Sequence, residues 1–395
     1  MSSKQLSLQR PLPAGKRVPV WRGEDWSALR AREVPGRIDL LVSDAALDPA
    51  WDRFLTTVPG AHHAQSSRWA QLKSSGTGGC FRIIMKRDSA IIGGVQVMLR
   101  HLPVVGWFGY APKGPVLAEP DDRLADLLVD SLQRTVFDRH IRYLLVQPPE
   151  HSEPLTARMA THHFAPTPLT IQPAATVKID LSAGEDELFS NMKKRTRREI
   201  RRGLAAGLVG REGSEADLPV FHRLLTATAE RQGFTPFSLA YFEQLWRLLT
   251  PLGWVKLLLV ERGDEPVSGQ IVVPFSDTVI TKNIGWSGTY SHLAPNRVLD
   301  WFSIKWAKAA GYRYYDLEGI DPALARMLLD GGGQVTPEQH GRSYYKLNYG
   351  GDIALLPGGY DYLPNRLFRG VEQRLLPHIG SSRLFDHLAR RLRSQ

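Results

Sequence analysis

The most concentrated chemical feature of this sequence is a run of basic side chains between residues 193 and 202. Seven cations stand there against one anion, Glu199. The cations are Lys193, Lys194, Arg195, Arg197, Arg198, Arg201 and Arg202. Because like charges this dense repel one another on an isolated helix, we interpret the run as a contact for a polyanion, with a solvated helix face as the alternative.

Other reactive side chains are sparse and form no recognisable metal or thiol motif. Cys80 is the single cysteine among 395 residues, so an internal disulfide is excluded and a reducing compartment is expected. Asp316, Glu318 and Asp321 cluster after a predicted strand without a neighbouring His or Cys, and we interpret them as strand-end structure. Metal-ligand spacing is also missing at His62, His63, His292 and His340. The sequence therefore predicts neither a metal nor a cofactor.

The charge of the whole chain favours anionic partners. Lys and Arg total 50 against 40 Asp and Glu, a net charge of +10. Nucleic acid, a nucleotide-linked substrate and an anionic membrane face are partners that such an excess favours. Residues 1–36 are rich in Pro, Arg and Ser, and we expect a poorly ordered extension without an export signal. No apolar stretch approaches the roughly 20 residues that span a bilayer, so a cytoplasmic protein is predicted.

Two halves of the chain show the same order of predicted elements. Each reads strand, turn, glycine-containing strand, strand, loop, helix and strand, over residues 81–146 and again over 255–317. The repetition predicts a duplicated α/β (α+β) unit with mixed sheets flanked by helices. Between the repeats, residues 182–185 read as a capping box for one helix that ends at Gly207. The predicted apolar stripe of that helix is Leu188, Met192, Ile200 and Leu204, with the basic run on its other faces.

A series of short segments gives the chain a resemblance to a known family. The segments are 65–73, 110–116, 191–201, 228–234, 285–290, 295–296, 311–317 and 344–346. In this order they resemble the Fem aminoacyltransferases (FemA, FemB and FemX), which build peptidoglycan interpeptide bridges from aminoacyl-tRNA. The resemblance implies two tandem GNAT-like acyltransferase domains with the substrate in a cleft between them. Domain 1 would cover 37–168 and be completed by 352–395, and domain 2 would cover 169–351.

One departure from the family pattern narrows the subgroup. Longer members insert a coiled-coil arm of helices into the second domain. Here Gly207 leads almost directly to the next predicted helix, near residues 217–232, and leaves no room for such an arm. The chain therefore resembles the arm-less FemX type.

The implied activity is an aminoacyl transfer by ester aminolysis, in which an amine attacks the ester that links an amino acid to tRNA. The amide product is more stable than the ester, so neither ATP nor a metal is required. Lys346, which follows Tyr345, matches the family lysine that stabilises the anionic tetrahedral intermediate, and one such donor contributes about 3–4 kcal/mol. A strand lysine that faces solvent is the alternative. Where FemX-type enzymes carry a loop Asp this chain has Ala118, and the adjacent Glu119 is the candidate base.

The resemblance also implies which residues hold the substrates. Lys73 and Arg231 would contact a diphosphate of the acceptor, one as a point charge and the other as a bidentate fork. Further acceptor contacts are implied at Trp69, Tyr110, Lys113, Thr228, Trp286 and Tyr290. Phosphates of the tRNA would lie along the basic run, at Lys193, Lys194, Arg197, Arg198 and Arg201.

The partners implied are therefore an aminoacyl-tRNA donor and a peptidoglycan precursor, either lipid II or its UDP-linked pentapeptide. We expect a monomer with a peripheral contact to the inner membrane face. Three other functions stay open. An aminoacyl-tRNA-dependent enzyme of natural-product biosynthesis would use the same chemistry on a small amine. An RNA-binding module would use the basic run alone and leave Lys346 unexplained.

The third alternative is a CoA-dependent N-acyltransferase of the same fold. Such an enzyme holds the pyrophosphate of CoA with the backbone amides of a glycine-rich loop that opens a helix. In the corresponding loop of this chain, Pro112 and Pro115 remove two of those amide donors. The sequence therefore disfavours acyl-CoA as the donor.

Overall fold

The computed structural model describes residues 37–73, 78–102 and 106–365, and these residues form two mixed sheets. The predictions for 1–36 and for the segment after residue 365 lie outside this part of the chain. The first sheet begins with β1 (Ile38–Ser43), β2 (Gly78–Arg87), β3 (Ala90–Leu102), β4 (Gly106–Pro112), β5 (Val116–Leu117), β6 (Ile141–Gln147) and β7 (Ala165–Thr167). The second contains β8 (Ala175–Asp180), β9 (Leu208–Glu212), β10 (Lys256–Arg262), β11 (Glu265–Phe275), β12 (Thr278–Trp286), β13 (Tyr314–Asp316) and β14 (Asp352–Leu355). A last strand, β15 (Gly359–Tyr362), returns to the first sheet.

The first five strands of the two sheets follow the same order along the chain and the same directions. The first has the order β1-β2-β3-β4-β6-β15-β7, and the second has the order β9-β10-β11-β12-β13-β8-β14. In each sheet the fourth and fifth strands of this order are parallel, while the other neighbours along it are antiparallel. The predicted duplication is therefore confirmed. A parallel pair needs a crossover connection, and a helix supplies it in both copies.

The helices cover the sheets and lie close to the predicted positions. They are α1 (Pro49–Thr57), α2 (Ser67–Lys73), α3 (Asp122–Asp138), α4 (Glu153–Thr161), α5 (Glu185–Asn191), α6 (Lys194–Ala205), α7 (Leu218–Gln232), α8 (Leu239–Leu249), α9 (Pro295–Ala309), α10 (Pro322–Leu329) and α11 (Pro337–Leu347). The crossover helices are α3 in the first copy and α9 in the second. Among the described helices, none combines the length and the apolar character that a membrane span requires. Residues 208–217 carry no inserted arm, as expected for the arm-less type.

The domain boundaries in the structure differ from the predicted ones. We define domain 1 as the first sheet with its helices and domain 2 as the second sheet with its helices. Domain 2 was expected to end at residue 351, but β14 pairs with β8 inside the second sheet. The chain returns to domain 1 only with β15, whose Tyr360 lies opposite Val146 of β6. Domain 2 therefore extends beyond residue 351, because strand pairing, rather than the sequence pattern, decides which sheet a short strand joins.

The single helix predicted from 182 to 207 is wrong. The chain forms α5 and α6 instead, and Met192 and Lys193 between them have extended backbones. Ser182 provides no capping box, because Gly184 occupies the N-cap of α5 without a side-chain bond. Leu204 of the predicted stripe is 46% exposed. Gly207 does follow the end of α6, with a positive φ of 83°.

A hydrophobic core is shared by the two domains. One cluster of buried side chains joins Trp51, Leu55 and Trp69 of domain 1 to Phe221, Phe242 and Phe275 of domain 2. A glycine permits part of this packing, since a Cβ at Gly285 would lie 2.5 Å from the backbone nitrogen of Leu225 in α7. Shared burial of this kind favours a fixed arrangement of the domains over a hinge.

Candidate active site

A cavity of about 50 Å³ with several charged side chains on its wall lies between the domains, beside the shared core. Domain 1 contributes His62, Lys113 and Glu150 to its wall, and domain 2 contributes Lys178, Asp316 and Glu318. A second cavity of about 530 Å³ adjoins it and has five wall residues in common with it. The shared residues are Gly60, Ala61, Pro149, Glu150 and Lys178. Together the cavities form the inter-domain cleft that the family resemblance implies.

Lys113 is the predicted acceptor contact that the structure places in this cavity. Its loop is held by Gln65, whose side-chain amide donates to the carbonyls of Pro112 (2.7 Å) and Gln96 (3.1 Å). Lys113 has a left-handed backbone, φ 50°, and its Nζ donates to the Pro173 carbonyl at 3.2 Å. Burial lowers the pKa of Lys113 to about 8, although nearby carboxylates, Asp316 above all, oppose that shift. A partly desolvated cation at this position suits an anionic substrate group.

Two ion pairs on the cavity wall were missed from the sequence. Glu150 Oε2 lies 2.5 Å from Lys178 Nζ, so this pair joins domain 1 to domain 2. Glu318 pairs with Lys282 and has a left-handed backbone, φ 57°, which is unusual for a residue with a side chain. Such strain is found preferentially at functional sites. These residues are far apart in sequence, so no local pattern could have grouped them.

Asp316, which we had interpreted as strand-end structure, also lines the cavity. It accepts hydrogen bonds from the Thr176 hydroxyl and from the Glu318 amide, the latter at 2.6 Å. Burial raises the pKa of its carboxyl. The third acid of that cluster, Asp321, caps α10 by accepting from the amide of Ala323, a structural role at a helix start rather than at a strand end.

Lys346 lies beside the cavity on a helix rather than on a strand. It belongs to α11, which is interrupted by a non-helical backbone at Gly341. Its ammonium donates to the carbonyls of Glu318 (2.9 Å) and Gly319 (2.8 Å), and both residues line the cavity. An ammonium has three N–H donors, so one remains without a partner in the described chain. Burial lowers the pKa of Lys346, and the nearby carboxylate of Glu318 opposes the shift most.

Tyr345, expected beside Lys346 as a catalytic residue, turns away from the cavity. Its hydroxyl donates to the buried carboxyl of Asp300 at 2.7 Å, and Tyr349 donates to the same oxygen at 2.5 Å. The guanidinium of Arg297 lies 3.8 Å from the centroid of the Tyr345 ring. On a helix, successive side chains point about 100° apart, so neighbours do not share a face. Tyr345 therefore anchors the Lys346 helix to domain 2.

Glu119 does not reach the cavity, so the candidate base is corrected. Its side chain is exposed in the loop after β5, and only its neighbours Ala118 and Pro120 line the larger cavity. Asp121 caps α3 by accepting from the amides of Arg123 and Leu124. The described carboxylates on the wall of the smaller cavity are Glu150, Asp316 and Glu318.

Lys73 and Trp69 lie in the shared core region rather than on the cavity wall. The Lys73 ammonium is 4.6 Å from the centroid of the Phe237 ring and 4.7 Å from that of Tyr241. Trp69 is 7% exposed and packs edge-on against His63, with ring centroids 4.5 Å apart. Burial lowers the pKa of Lys73 to about 8. Its surroundings are those of a cation enclosed by aromatic faces.

Three other predicted contacts form a separate cluster at the end of α7. The Thr228 hydroxyl accepts from the amide of Trp286 at 2.8 Å. The Arg231 guanidinium donates to the carbonyl of Ser287 at 3.2 Å and lies 4.7 Å from the Trp286 ring. Tyr290 is not part of this cluster. Its hydroxyl donates to Glu265, and the guanidinium of Arg262 lies 4.6 Å from the centroid of its ring. The backbone carbonyls already satisfy donors that Arg231 was expected to offer a diphosphate.

Tyr110 also has a structural partner. Its hydroxyl donates to Gln147 Oε1 at 2.8 Å, and the same oxygen accepts from the amides of Ile171 and Gln172. Because residues 171 and 172 belong to the connection between the domains, Tyr110 helps to hold this connection. Gln172 in turn lines the cavity, so the contribution of Tyr110 to the site is indirect.

The basic run forms an exposed face at α6. Lys193, Lys194, Arg198 and Arg201 are exposed, which is the placement that a phosphate contact requires. Arg197 differs, because its guanidinium donates to the carbonyls of Ser190 (2.5 Å) and Met192 (2.6 Å) at the end of α5. It therefore satisfies backbone carbonyls that the helix break leaves open.

The repeated sheet, with a single parallel pair in each copy, defines a tandem protein of the GNAT fold. Comparisons with known proteins agree with this class. A model of the FemAB family matches residues 48–163, and a model of the acetyltransferase (GNAT) domain matches residues 190–326. The crystal structure of FemX superposes with a TM-score of 0.72 over 86% of this chain and 100% of that one, at 17% identity, which supports the fold alone.

Two curated relatives are similar to this chain in sequence. The UDP-N-acetylmuramoylpentapeptide-lysine N(6)-alanyltransferase of Weissella viridescens is 25% identical over 297 residues, 71% of this chain and 87% of the relative. The lipid II:glycine glycyltransferase of Staphylococcus aureus is 24% identical over 221 residues. That second match spans 53% of this chain and about half, 52%, of the relative. Together these findings support a Fem-type protein with two GNAT-type domains.

Proposed function

We propose that this protein is an aminoacyltransferase that joins an amino acid to an amine of a peptidoglycan precursor, lipid II or the UDP-linked pentapeptide. The donor is an aminoacyl-tRNA, and the bond forms in the inter-domain cavity. The observation that carries this proposal is the position of Lys346, whose ammonium is held by two carbonyls of the cavity wall. The names of the two curated relatives supply the acceptor class and the aminoacyl character of the transfer.

The reaction has one charged intermediate, and we assign its stabilisation to Lys346. The acceptor amine attacks the ester carbonyl, forms the C–N bond and leaves a negative oxygen on the tetrahedral carbon. Collapse of that intermediate breaks the C–O bond to the tRNA ribose, whose oxygen takes up a proton. A fixed ammonium that donates its third N–H to the oxyanion lowers the barrier by about 3–4 kcal/mol. The carbonyls of Glu318 and Gly319 fix its position before substrate arrives.

The amine must lose a proton as the amide forms. Three carboxylates of the cavity wall are candidate acceptors for that proton, namely Glu150, Asp316 and Glu318. The backbone carbonyl of Glu318 holds Lys346, while its carboxylate pairs with Lys282. Lys113 and Lys178 supply positive charge for the anionic part of the acceptor.

The donor is proposed to lie along the exposed face of α6. Four cations there, Lys193, Lys194, Arg198 and Arg201, would neutralise phosphates without reading sequence. This helix is tied to the catalytic segment, since the amide of Lys193 donates to the carbonyl of Asn348 at 3.0 Å. A donor bound on α6 would therefore lie on a helix that is hydrogen-bonded to the segment next to Lys346.

A reconstituted reaction tests the proposal. Purified protein is mixed with charged tRNA and with lipid II or UDP-linked pentapeptide, and the products are identified by mass. We expect a gain of one aminoacyl unit that disappears when the tRNA is digested with ribonuclease. Acetyl-CoA replaces the tRNA in a parallel reaction. Acyl transfer from acetyl-CoA alone would refute aminoacyl-tRNA as the donor, and transfer only to small free amines would refute the peptidoglycan acceptor.

A further inference from the structure

His62 lines the smaller cavity from the domain 1 side, and its ring orientation is fixed by its own loop. The residue is the N-cap of a single 3-10 turn at His63–Gln65, and its Nδ1 accepts from the backbone amide of Ala64 at 3.1 Å. A backbone amide can only donate, so Nδ1 must carry its lone pair. The opposite nitrogen, Nε2, has no hydrogen-bond partner within residues 37–73, 78–102 and 106–365.

The surroundings of the ring disfavour a second proton. Burial lowers the pKa of His62 well below its ordinary value, and the adjacent His63 and the ammonium groups of Lys282, Lys113 and Lys178 add to that shift. A neutral imidazole has one N–H, and Nδ1 is already an acceptor. The hydrogen therefore resides on Nε2, and the ring offers a donor rather than a free lone pair.

We propose that the Nε2–H of His62 donates a hydrogen bond to the oxygen that becomes negative in the cavity, as a second donor beside Lys346. This inference rests on the function proposed above. Glu318 and Gly319, whose carbonyls hold the Lys346 ammonium, line the same cavity as His62, so both donors border the space proposed for that oxygen. Lys346 belongs to domain 2 and His62 to domain 1. The anion site is thus complete only when both domains are in place.

A role as general base does not fit this geometry. The lone pair that would accept a proton is on Nδ1, which is already bonded to the Ala64 amide. His63 offers a contrast, because its ring packs against Trp69 and Phe275 and its nitrogens have no partners in the described chain. It is absent from the cavity wall, so it serves as a matched control.

Nitrogen-15 NMR of the full chain with labelled histidine tests the donor state without any activity. We expect His62 to show a protonated Nε2 and an unprotonated Nδ1 throughout about pH 5 to 8, the range where an ordinary histidine titrates. The His62→Gln variant assigns the signal by its loss. An imidazolium in that range, or a proton on Nδ1, would overturn the proposal.

Kinetics with aminoacyl-tRNA and acceptor test the role in catalysis. Removal of one oxyanion donor costs about 100-fold or more, so His62→Leu should lower kcat by that factor with little change in KM. His62→Gln retains a side-chain N–H and should stay within about tenfold of the wild type. His63→Leu should keep its kcat, and thermal melting of all three variants separates misfolding from a catalytic defect.

Each remaining outcome decides one proposal. Wild-type turnover in His62→Leu would overturn the donor role. Equal losses in both His62 variants, with an acidic limb in the wild-type pH profile that the variants lack, would make His62 a titrating acid or base instead. A wild type that transfers no amino acid would overturn the proposed function, and the NMR result would still decide whether His62 is a donor.

Discussion

The interface between the two domains has two regions of opposite character. The shared core is apolar and joins aromatic side chains such as Trp69 and Phe275. The adjacent cavity is lined by cations and anions from both domains, joined there by the pair Glu150–Lys178. Buried charges contribute little net stability even when paired, whereas buried apolar area is the main stabilising term.

This difference separates two tasks. The core fixes how the domains lie relative to each other, and the cavity uses that fixed relation to bring side chains from both domains around one space. A site assembled from two rigid bodies needs such support, because small displacements of its groups are costly for catalysis. Core substitutions should therefore act on stability, and cavity substitutions on rate.

The largest effect is expected from Phe275→Ala in the core. Phe275 is 2% exposed and packs on Trp254, with ring centroids 4.8 Å apart, and on His63 of the other domain. Loss of a buried Phe ring costs about 3–5 kcal/mol of unfolding free energy. Urea denaturation followed by fluorescence and by circular dichroism measures it. Two separate unfolding transitions in the wild type would contradict a core shared by both domains.

Lys346→Met should lower the rate of the reaction rather than the stability of the fold. We expect turnover to fall about 100-fold or more while acceptor binding stays nearly intact, because the lost donor acts only on the intermediate. Lys308→Met is the matched control, since Lys308 Nζ also donates to a backbone carbonyl, that of Leu181 at 2.8 Å, outside the cavity wall. Single-turnover rates and calorimetric affinities give the two quantities. A loss of binding with normal turnover would remove Lys346 from catalysis.

Charge reversal on α6 should have a smaller effect, confined to the donor. Lys194→Glu with Arg198→Glu should weaken tRNA binding and flatten its dependence on salt by about one unit of logarithmic slope per lost phosphate contact. Arg53→Glu with Arg247→Glu reverses exposed helical arginines elsewhere and serves as the control. Filter binding at several salt concentrations measures both. Equal slopes in the two double variants would leave α6 as a solvated face.

The smallest effect expected is a change of acceptor affinity with pH. A lysine whose pKa is depressed loses its positive charge as the pH rises through that value, so the Lys113 ammonium disappears above about 8. The groups facing it are Asp316, Glu150, Glu318 and Lys282. Affinity for UDP-linked pentapeptide should fall over that range in the wild type, and Lys113→Met should bind more weakly without this fall.

Lys73 sharpens this last prediction, because burial lowers its pKa to about 8 as well. Isothermal titration of Lys73→Met across the same range distinguishes the two lysines. If this variant rather than Lys113→Met removes the pH dependence, the anionic group of the acceptor lies in the aromatic enclosure, as the family resemblance implied.

The fold was predictable because its signals are local. Alternating apolar strands, turns and helices marked both repeats, and the structure confirms their order. The predicted helix over 182–207 failed because the four-residue spacing of Leu188, Met192, Ile200 and Leu204 gives no signal for a break at Met192. The position of β14 in the second sheet depends on its pairing with β8, which no local pattern encodes.

The site was only partly predictable for a related reason. Lys113, on the cavity wall, and Lys346, beside it, were chosen through family motifs, but such motifs do not tell which neighbour faces the cavity. Tyr345 and Glu119, which were also chosen, do not line the cavity in the structure. The charges of Glu150, Lys178 and Lys282 come together only in the folded chain. His62 carried no signal except its type.

The central claim is that the amide bond forms in the inter-domain cavity beside Lys346. A crystal structure with a phosphonate that mimics the tetrahedral intermediate, linking a terminal adenosine to the acceptor amine, tests it directly. We expect a phosphonate oxygen at about 3 Å from Lys346 Nζ, with His62 on the opposite side. A phosphonate bound elsewhere, while the Lys346 ammonium stays bonded only to the carbonyls of Glu318 and Gly319, would contradict the account.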